Sequence, residues 1–227
     1  MMVLYSSSTS IFSHRCRFVL FEKGMDFEIK DVDLYNKPEE IMTLNPKGEV
    51  PILTDRDSDR NNDRNSDRML VVNESNLINI YLEERHPHPT LIPVELSDRC
   101  RMRAMLLNAE EELFTHVKVL NKYRNKDDEK IRDIARTKLT ENLIQLAPFA
   151  PKKATSFFCP DIASSPDVIN KKVSLIDINL ATLLWRLEHY EIELPKQALP
   201  LLMYGERIFT KESFYESLTP DEKAMRK

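Results

Sequence analysis

Residues 44 to 89 constrain the fold more than any other part of this chain. A loop there ends in Val50-Pro51, an apolar run follows the proline, a second apolar run covers residues 69 to 72, and Glu74-Ser75 precedes a helical pattern. Proline is tolerated at the start of a strand, and X-Pro is the peptide bond at which the cis form is least costly. The stretch therefore predicts a cis-proline loop, two strands, a turn and a helix.

Ser75 is the expected N-cap of that helix, because a serine hydroxyl can accept a hydrogen bond from the first free N–H groups. Glu74 is expected at the positive end of the helix dipole, where a carboxylate is stabilised. A purely structural role for Pro51 and Ser75 stays open at this point, since a scaffold without a ligand would keep both.

The preceding residues predict two more strands, over residues 2 to 5 and 27 to 32, with a helix between them. Apolar residues at helical spacing and a terminal glycine indicate that helix: Phe12, Cys16, Val19, Leu20 and Gly24. A short helix or turn is predicted over residues 38 to 44. The resulting order, β-α-β-α-β-β-α, is thioredoxin-like, with the first two strands parallel and the last two in a hairpin.

A charged insertion interrupts the hairpin over residues 55 to 68, where Asp-Arg recurs every four residues. On a helix the arginines would form a like-charge stripe, and Asp, Asn and Ser are poor helix formers. With balanced charge and no apolar residue, the segment is interpreted as a solvated loop. Its arginines could also bind a partner or nucleic acid, although the alternating aspartates would cancel most of that attraction.

Long helical patterns follow Pro89 and predict an all-helical second domain. The first helix begins near Ser97-Asp98 and the second ends at Pro148. Their apolar stripes are Leu106, Leu113, Val117 and Leu120, then Ile131, Ile134, Ala135, Leu139, Leu143 and Leu146. A polar connection covers residues 152 to 172, and Ser174 with Asp177 forms a capping pair for the next helix. The last helical pieces are predicted over residues 200 to 209 and 211 to 218.

Composition excludes several classes of protein. The 227 residues carry a formal net charge of −4 and a sequence pI of about 5.8, without the basic footprint of a general nucleic-acid binder. The scattered Cys16, Cys100 and Cys159 match no zinc or disulfide spacing, so we expect a reducing cytoplasm and no metal site. No apolar run is long enough to span a bilayer, and the N-terminus shows no secretory pattern.

The Asn-Pro-x-Gly-x-Val-Pro-x-Leu motif that contains Val50-Pro51, followed by Glu74-Ser75, resembles the N-terminal domain of glutathione transferases in order and spacing. The resemblance implies a thioredoxin-like α/β domain over residues 1–85, a linker over 86–96 and an all-α domain over 97–227. It also implies a glutathione-like pocket. In that pocket the Val50 backbone would pair with the cysteinyl part of glutathione, and Glu74 and Ser75 would hold its γ-glutamyl end.

Transferases of this kind place a Ser, Tyr or Cys near the N-terminus of the first helix, where N–H groups and the dipole favour a thiolate on glutathione. The matching position is Ser10, with Ser13 nearby, but Ser10 lacks the proline that commonly follows it in that family. We favour a role for Ser10 as a helix cap. Cys16 falls on the apolar face and is expected to be a buried, inert thiol, whereas His14 is expected on the polar face.

A closer resemblance, to the stringent starvation protein A family, covers nearly the whole chain. It is carried by residues 11–24, 81–94, 174–177, 181–187 and 212–219. It is specific because Pro-His-Pro at residues 87–89 occurs together with Leu-Trp-Arg at residues 184–186, which general transferases do not require. The chain departs from the family at His86, where another aromatic residue is commoner, at Thr90, where proline is commoner, and at the charged insertion.

This resemblance implies a dimeric, cytoplasmic protein that binds bacterial RNA polymerase with its sigma factor under starvation and acid stress, and that lacks transferase activity. The recognition surface carried over consists of Pro87, His88, Pro89, His86 and Arg85. Glutathione is not expected to be required, and neither nucleic acid nor a membrane is an expected partner. Two alternatives stay open: a glutathione transferase or thiol enzyme that uses Ser10 or Ser13, and a ligand-binding scaffold without chemistry.

Replacing residues 57 to 66 with a short turn should leave the far-ultraviolet circular-dichroism spectrum and the melting temperature nearly unchanged, because a solvated polar loop contributes nothing to a core. Both quantities are measured on the full chain and on the shortened variant. Loss of the folded spectrum in the shortened variant would show that the loop packs against the domain.

Overall fold

The computed structural model describes residues 1–56, 69–123, 128–151, 158 and 173–226. The chain forms two compact units. Unit 1 comprises Met1–Pro89 and Glu212–Ala224, and unit 2 comprises Thr90–Lys211 and Met225–Lys227. Most of the predicted insertion, and all of the predicted 152–172 connection except Phe158, lie outside the described residues.

Within the described residues, unit 1 is built on a four-stranded sheet. Its strands are β1 (Met2–Ser6), β2 (Phe27–Asp31), β3 (Ile52–Arg56) and β4 (Met69–Asn73), and they lie in the order β2-β1-β3-β4. The first helices are α1 (Ile11–Glu22), α2 (Glu39–Leu44) and α3 (Ser75–Arg85). β1 and β2 are parallel, whereas β3 pairs antiparallel with β1 and with β4. The predicted thioredoxin-like order and strand pairing are confirmed.

The first two residues of the Asp-Arg repeat belong to the sheet and not to the insertion. Asp55 and Arg56 lie in β3 and pair with Leu70 and Met69 of β4. The Asp55 carboxylate is buried and accepts a hydrogen bond from the Tyr81 hydroxyl of α3 at 2.7 Å. The repeat could not indicate this role, because the partner that makes burial of the carboxylate tolerable lies outside it.

α1 is buried on nearly every side, its polar residues included. Ser10 caps the first turn by accepting a hydrogen bond from the Ser13 N–H at 3.2 Å, and Gly24, at φ +59°, follows the last turn. Both features match the prediction. The prediction that His14 faces solvent is wrong: its ring is fully buried against Phe214, with ring centroids 5.3 Å apart.

The described part of unit 2 is predominantly helical. Its helices include α4 (Leu96–Ala109), a π-helical turn (Glu110–Phe114), α5 (Thr115–Lys122), α6 (Glu129–Leu146), α7 (Leu175–Leu184) and α8 (Leu199–Phe209). The first predicted stripe is buried throughout: Leu106, Leu113, Val117 and Leu120. In the second stripe Ile134 is 65% exposed, because the buried face of α6 follows Ala135, Leu139 and Leu143 at a spacing of four residues. None of the described helices is long and apolar enough to cross a membrane.

The predicted capping pair at the start of α7 is confirmed. Ser174 Oγ accepts a hydrogen bond from the Asp177 N–H at 3.4 Å, and the Asp177 carboxylate accepts one from the Ser174 N–H at 2.8 Å. The same carboxylate accepts hydrogen bonds from the Phe158 N–H and the Tyr204 hydroxyl. Burial raises the pKa of Asp177, and these donors oppose that shift without reversing it.

The last helices, α9 (Glu212–Ser217) and α10 (Pro220–Lys223), cover polar residues of α1. Arg17 Nη2 lies 2.6 Å from Glu222 Oε2, and Arg17 Nε donates to Ser217 O at 2.9 Å. His14 Nε2 lies 2.9 Å from Ser217 Oγ. The sequence-based division placed this segment in the domain over residues 97–227. Its contacts instead assign it to unit 1, because it supplies partners for cations buried in α1.

Glu222→Ala should lower the free energy of unfolding by about 3 kcal/mol, because it leaves the buried Arg17 guanidinium without its carboxylate partner. The neighbouring Asp221 is exposed, so Asp221→Ala should change it by less than about 0.5 kcal/mol. Chemical denaturation of both variants measures the difference. Equal losses would show that the Arg17–Glu222 pair does not stabilise the fold.

Candidate functional site

One end of the sheet in unit 1 gathers the segments that were predicted to form a glutathione-like pocket. Ile52, the first residue of β3, pairs with Asn73, the last residue of β4. Val50-Pro51 therefore adjoins Glu74-Ser75 across the ladder. The loop that leads to Ser10 leaves β1 at the same end, since β1 and β3 are antiparallel. Strand register thus places all the predicted pocket residues at one end of the sheet.

The backbone at this end departs from ordinary strand geometry. The Val50-Pro51 bond is cis, as the sequence predicts. Glu74 has φ 71° and ψ 120°, a combination that residues other than glycine rarely adopt. Strained residues persist where their surroundings hold them and cluster at ligand sites, so the conformation of Glu74 marks this end as a candidate binding site.

Ser75 does not cap α3, contrary to the prediction. Glu74 occupies the N-cap position, and Ser75 is the first helical residue. The Ser75 hydroxyl instead accepts a hydrogen bond from Arg15 Nη1 of α1 at 3.2 Å. The prediction failed because the sequence does not reveal the positive φ of Glu74, which starts the helix one residue earlier than a serine cap requires.

The hydroxyl and thiol groups near the start of α1 have structural partners. Ser10 accepts the capping hydrogen bond from Ser13, and Ser13 Oγ is itself buried and accepts one from the Ser7 N–H at 3.4 Å. Cys16 is fully buried, and burial raises the pKa of its thiol to about 12. The prediction of a buried thiol is confirmed, and at neutral pH that thiol is uncharged and a poor nucleophile.

The predicted recognition residues lie where α3 ends and the chain turns. The side chains of Pro87 and His88 are exposed, and those of His86 and Pro89 are half-buried. The chain bends at His88-Pro89, where the peptide bond is also cis. The segment therefore does not run straight out of the helix.

Lys23, the C-cap residue of α1, contacts this turn from beneath. Its ammonium lies 2.6 Å from Glu83 Oε2 and donates to His86 O at 2.6 Å and to Pro89 O at 2.9 Å. The Lys23 side chain has no exposed surface. Sequence reasoning missed this residue, since a lysine at the end of a helix is ordinarily solvated and nothing in the pattern distinguishes this one.

Arg85, the fifth predicted recognition residue, forms an ion pair with a residue of the sheet. Its Nε lies 2.9 Å from Asp55 Oδ2, and its side chain is 26% exposed. Pro87 and His88 are therefore the exposed members of the predicted surface. In the part of the chain that the structure describes, no group of three or more His, Cys, Asp or Glu side chains is placed to hold a metal ion.

Comparison with known proteins places these features in a family. The glutathione S-transferase N-terminal domain family matches residues 9–85. Two curated relatives are named stringent starvation protein A homolog. The Coxiella burnetii protein is 34% identical over 226 residues and covers 99% of this chain and 95% of its own. The Haemophilus influenzae protein is 34% identical over 218 residues and covers 96% of this chain and 90% of its own.

Solved structures support the fold. The crystal structure of glutathione transferase Omega 1C from Trametes versicolor matches with a TM-score of 0.72 at 20% identity. The match covers 99% of this chain and 94% of that chain. At this identity the likeness concerns the fold alone, because one fold hosts many functions.

Proposed function

Since this chain belongs to the stringent starvation protein A family, with a glutathione transferase fold, we propose that it is a transcriptional regulator that associates with RNA polymerase holoenzyme, including the sigma factor. It acts in the cytoplasm as a homodimer, in a stress response, through protein–protein contact and without transferase catalysis. The observation that carries the proposal is the turn of residues 86–89, which exposes Pro87 and His88 and which we call the recognition turn.

The recognition turn has the properties of a preformed contact. Pro87 and Pro89 fix their own φ angles, so docking immobilises little additional backbone. The exposed His88 imidazole offers a hydrogen-bond donor, an acceptor and an aromatic face from a defined position. A short rigid segment of this kind can act as a hot spot within a larger interface.

Charge favours a protein partner over nucleic acid. The formal net charge of −4 gives no general attraction to phosphate backbones and suits a partner surface that is basic. A regulator with this charge would reach DNA through the polymerase and would not bind it directly.

The groups near the start of α1 support a role without catalysis. A transferase would need a hydroxyl or thiol turned toward a bound thiolate at the helix N-terminus. Here Ser10 caps the helix, and the side chains of Ser13 and Cys16 are fully buried. Each of these groups therefore has a structural role that accounts for its presence.

A second candidate function is glutathione transfer with Ser10 as the activating hydroxyl. The observation that favours it is the strained backbone of Glu74, at the same end of the sheet as Val50-Pro51. A retained binding site without chemistry would explain the same strain. Activity measurements separate the two candidate functions.

Replacing Pro87, His88 and Pro89 together with alanine should weaken binding of purified RNA polymerase holoenzyme about tenfold or more, because it removes both the fixed backbone and the imidazole. The far-ultraviolet spectrum and the dimer should be retained. Binding is measured by co-purification and by surface plasmon resonance. Glu84→Ala, an exposed change on α3 outside the turn, is the matched control and should bind normally. A folded triple variant with full polymerase binding would place the contact elsewhere on the protein.

Glutathione conjugation to a generic electrophile should not exceed the uncatalysed rate, because the candidate activating groups near the start of α1 are a cap and two buried side chains. The assay compares the wild type with Ser10→Ala and Ser13→Ala, and all three should give the background rate. Robust turnover that either substitution abolishes would establish the second candidate function instead.

A further inference from the structure

We infer that Lys23 is a positioning residue of the recognition turn, because its buried ammonium holds both ends of that turn in place. Lys23 and Glu83 together are called the clamp below. The inference rests on the proposed function and extends it to a residue that lies beneath the exposed surface. In this view, the Lys23 ammonium is the group that fixes the positions of Pro87 and His88.

The clamp uses the full bonding capacity of an ammonium group. A lysine ammonium has three N–H donors and no acceptor. At Lys23 the three partners are Glu83 Oε2, His86 O and Pro89 O, at 2.6, 2.6 and 2.9 Å. A buried charge is tolerated when it is both paired and hydrogen-bonded, and this arrangement meets both conditions. The two carbonyl contacts are thus an integral part of how the charge is accommodated.

The recognition turn needs an external donor because it has few of its own. Pro87 and Pro89 have no N–H. The His86 N–H is used by α3, where it donates to Leu82 O at 3.0 Å. Of the four residues in the turn, that leaves His88 with the one backbone N–H not used by the helix. A hydrogen bond from the fourth residue of the turn back to the first, which closes many turns, is impossible here because Pro89 has no N–H. Lys23 instead bonds the carbonyls of the first and last residues.

The backbone that carries Lys23 is packed in the core of unit 1. Lys23 ends α1, whose neighbouring residues Val19 and Leu20 are fully buried. Its own N–H donates to Val19 O at 3.0 Å. Its positive charge also lies at the negative end of the α1 dipole, which favours a cation there. The ammonium consequently fixes the turn relative to the core of unit 1.

The test uses a paired substitution. Lys23→Met alone would remove the ammonium that neutralises the buried Glu83 carboxylate and could unfold unit 1. Lys23→Met with Glu83→Met removes both charges together and leaves His86 O and Pro89 O without the ammonium. The matched control is Lys30→Met with Glu40→Met, a second Lys–Glu pair of unit 1 at 3.5 Å whose side chains are 43% and 53% exposed.

The clamp variant should bind RNA polymerase holoenzyme about tenfold more weakly than the wild type and the control pair. In the background of His88→Ala, which removes the imidazole that the clamp presents, the same paired substitution should cause little further loss, because residues that act through one another are not additive. Unchanged affinity in the clamp variant would overturn the inference. So would an equal fold-change in affinity with and without His88, because a loss caused by general destabilisation would be the same in both backgrounds.

A second measurement needs no partner. The His88 imidazole should give one narrow set of nuclear magnetic resonance signals in the wild type and in the control pair, and broadened or multiple signals in the folded clamp variant. If the wild type failed to bind polymerase, the proposed function would be wrong, but these signals would still show whether the clamp positions the turn. His88 signals identical in all three proteins would show that Lys23 does not position the turn.

Discussion

The fold of unit 1 depends on the need to pair cations inside a buried helix. α1 has scarcely any solvated face, yet Arg15, Arg17 and Lys23 lie within it or at its end with their side chains buried. Burying a cation without hydrogen-bond partners costs free energy, so each of these residues contacts another segment that packs on the helix. Arg15 contacts Ser75 at the start of α3, and Arg17 contacts the last helices of the chain. Lys23 contacts the turn after α3 through His86 and Pro89.

This pairing explains why segments remote in sequence converge on α1. The apolar residues of α1 would pack against any sheet of the right shape, because hydrophobic contact is non-directional. Charged hydrogen bonds add direction: two of the three guanidinium nitrogens of Arg17, Nη2 and Nε, donate to Glu222 Oε2 and Ser217 O, which fixes the orientation of residues 212–224. Lys23 does the same for the turn. The basic residues therefore specify which segments meet, and the apolar residues supply most of the driving force.

Local patterns predicted the elements well. Apolar periodicity and the caps at Ser10 and Ser174 indicated helices that the structure contains, because those signals lie within a few residues of the feature they specify. The roles of His14 and Lys23 could not be predicted in this way. Their partners include Ser217 and Pro89, which are remote in the chain. In a single sequence, a buried polar side chain of a helix cannot be distinguished from a solvated one.

The sequence indicated which residues to expect at the candidate pocket, but it did not indicate their backbone geometry. The resemblance to glutathione transferases implied that Val50-Pro51 and Glu74-Ser75 belong to one pocket, and the pairing of Ile52 with Asn73 puts the two segments at the same end of the sheet. The positive φ of Glu74 was not predictable, because no glycine or asparagine marks the position. With Glu74 in this conformation the helix starts at Ser75, and the Ser75 hydroxyl accepts a hydrogen bond from Arg15 and does not cap the helix. A single backbone angle thus separates a serine cap from a buried interhelical contact.

The two candidate sites use opposite ends of α1, and this separation allows one to change without the other. The N-terminal end, at Ser10, offers N–H groups and a positive dipole that would favour a thiolate. The C-terminal end, at Lys23, supplies an ammonium that holds the recognition turn. A chain of this fold could lose an activating hydroxyl at the first end and still keep the clamp at the second. A contact surface on a scaffold with the transferase fold is therefore physically consistent, since function resides in the site and not in the fold.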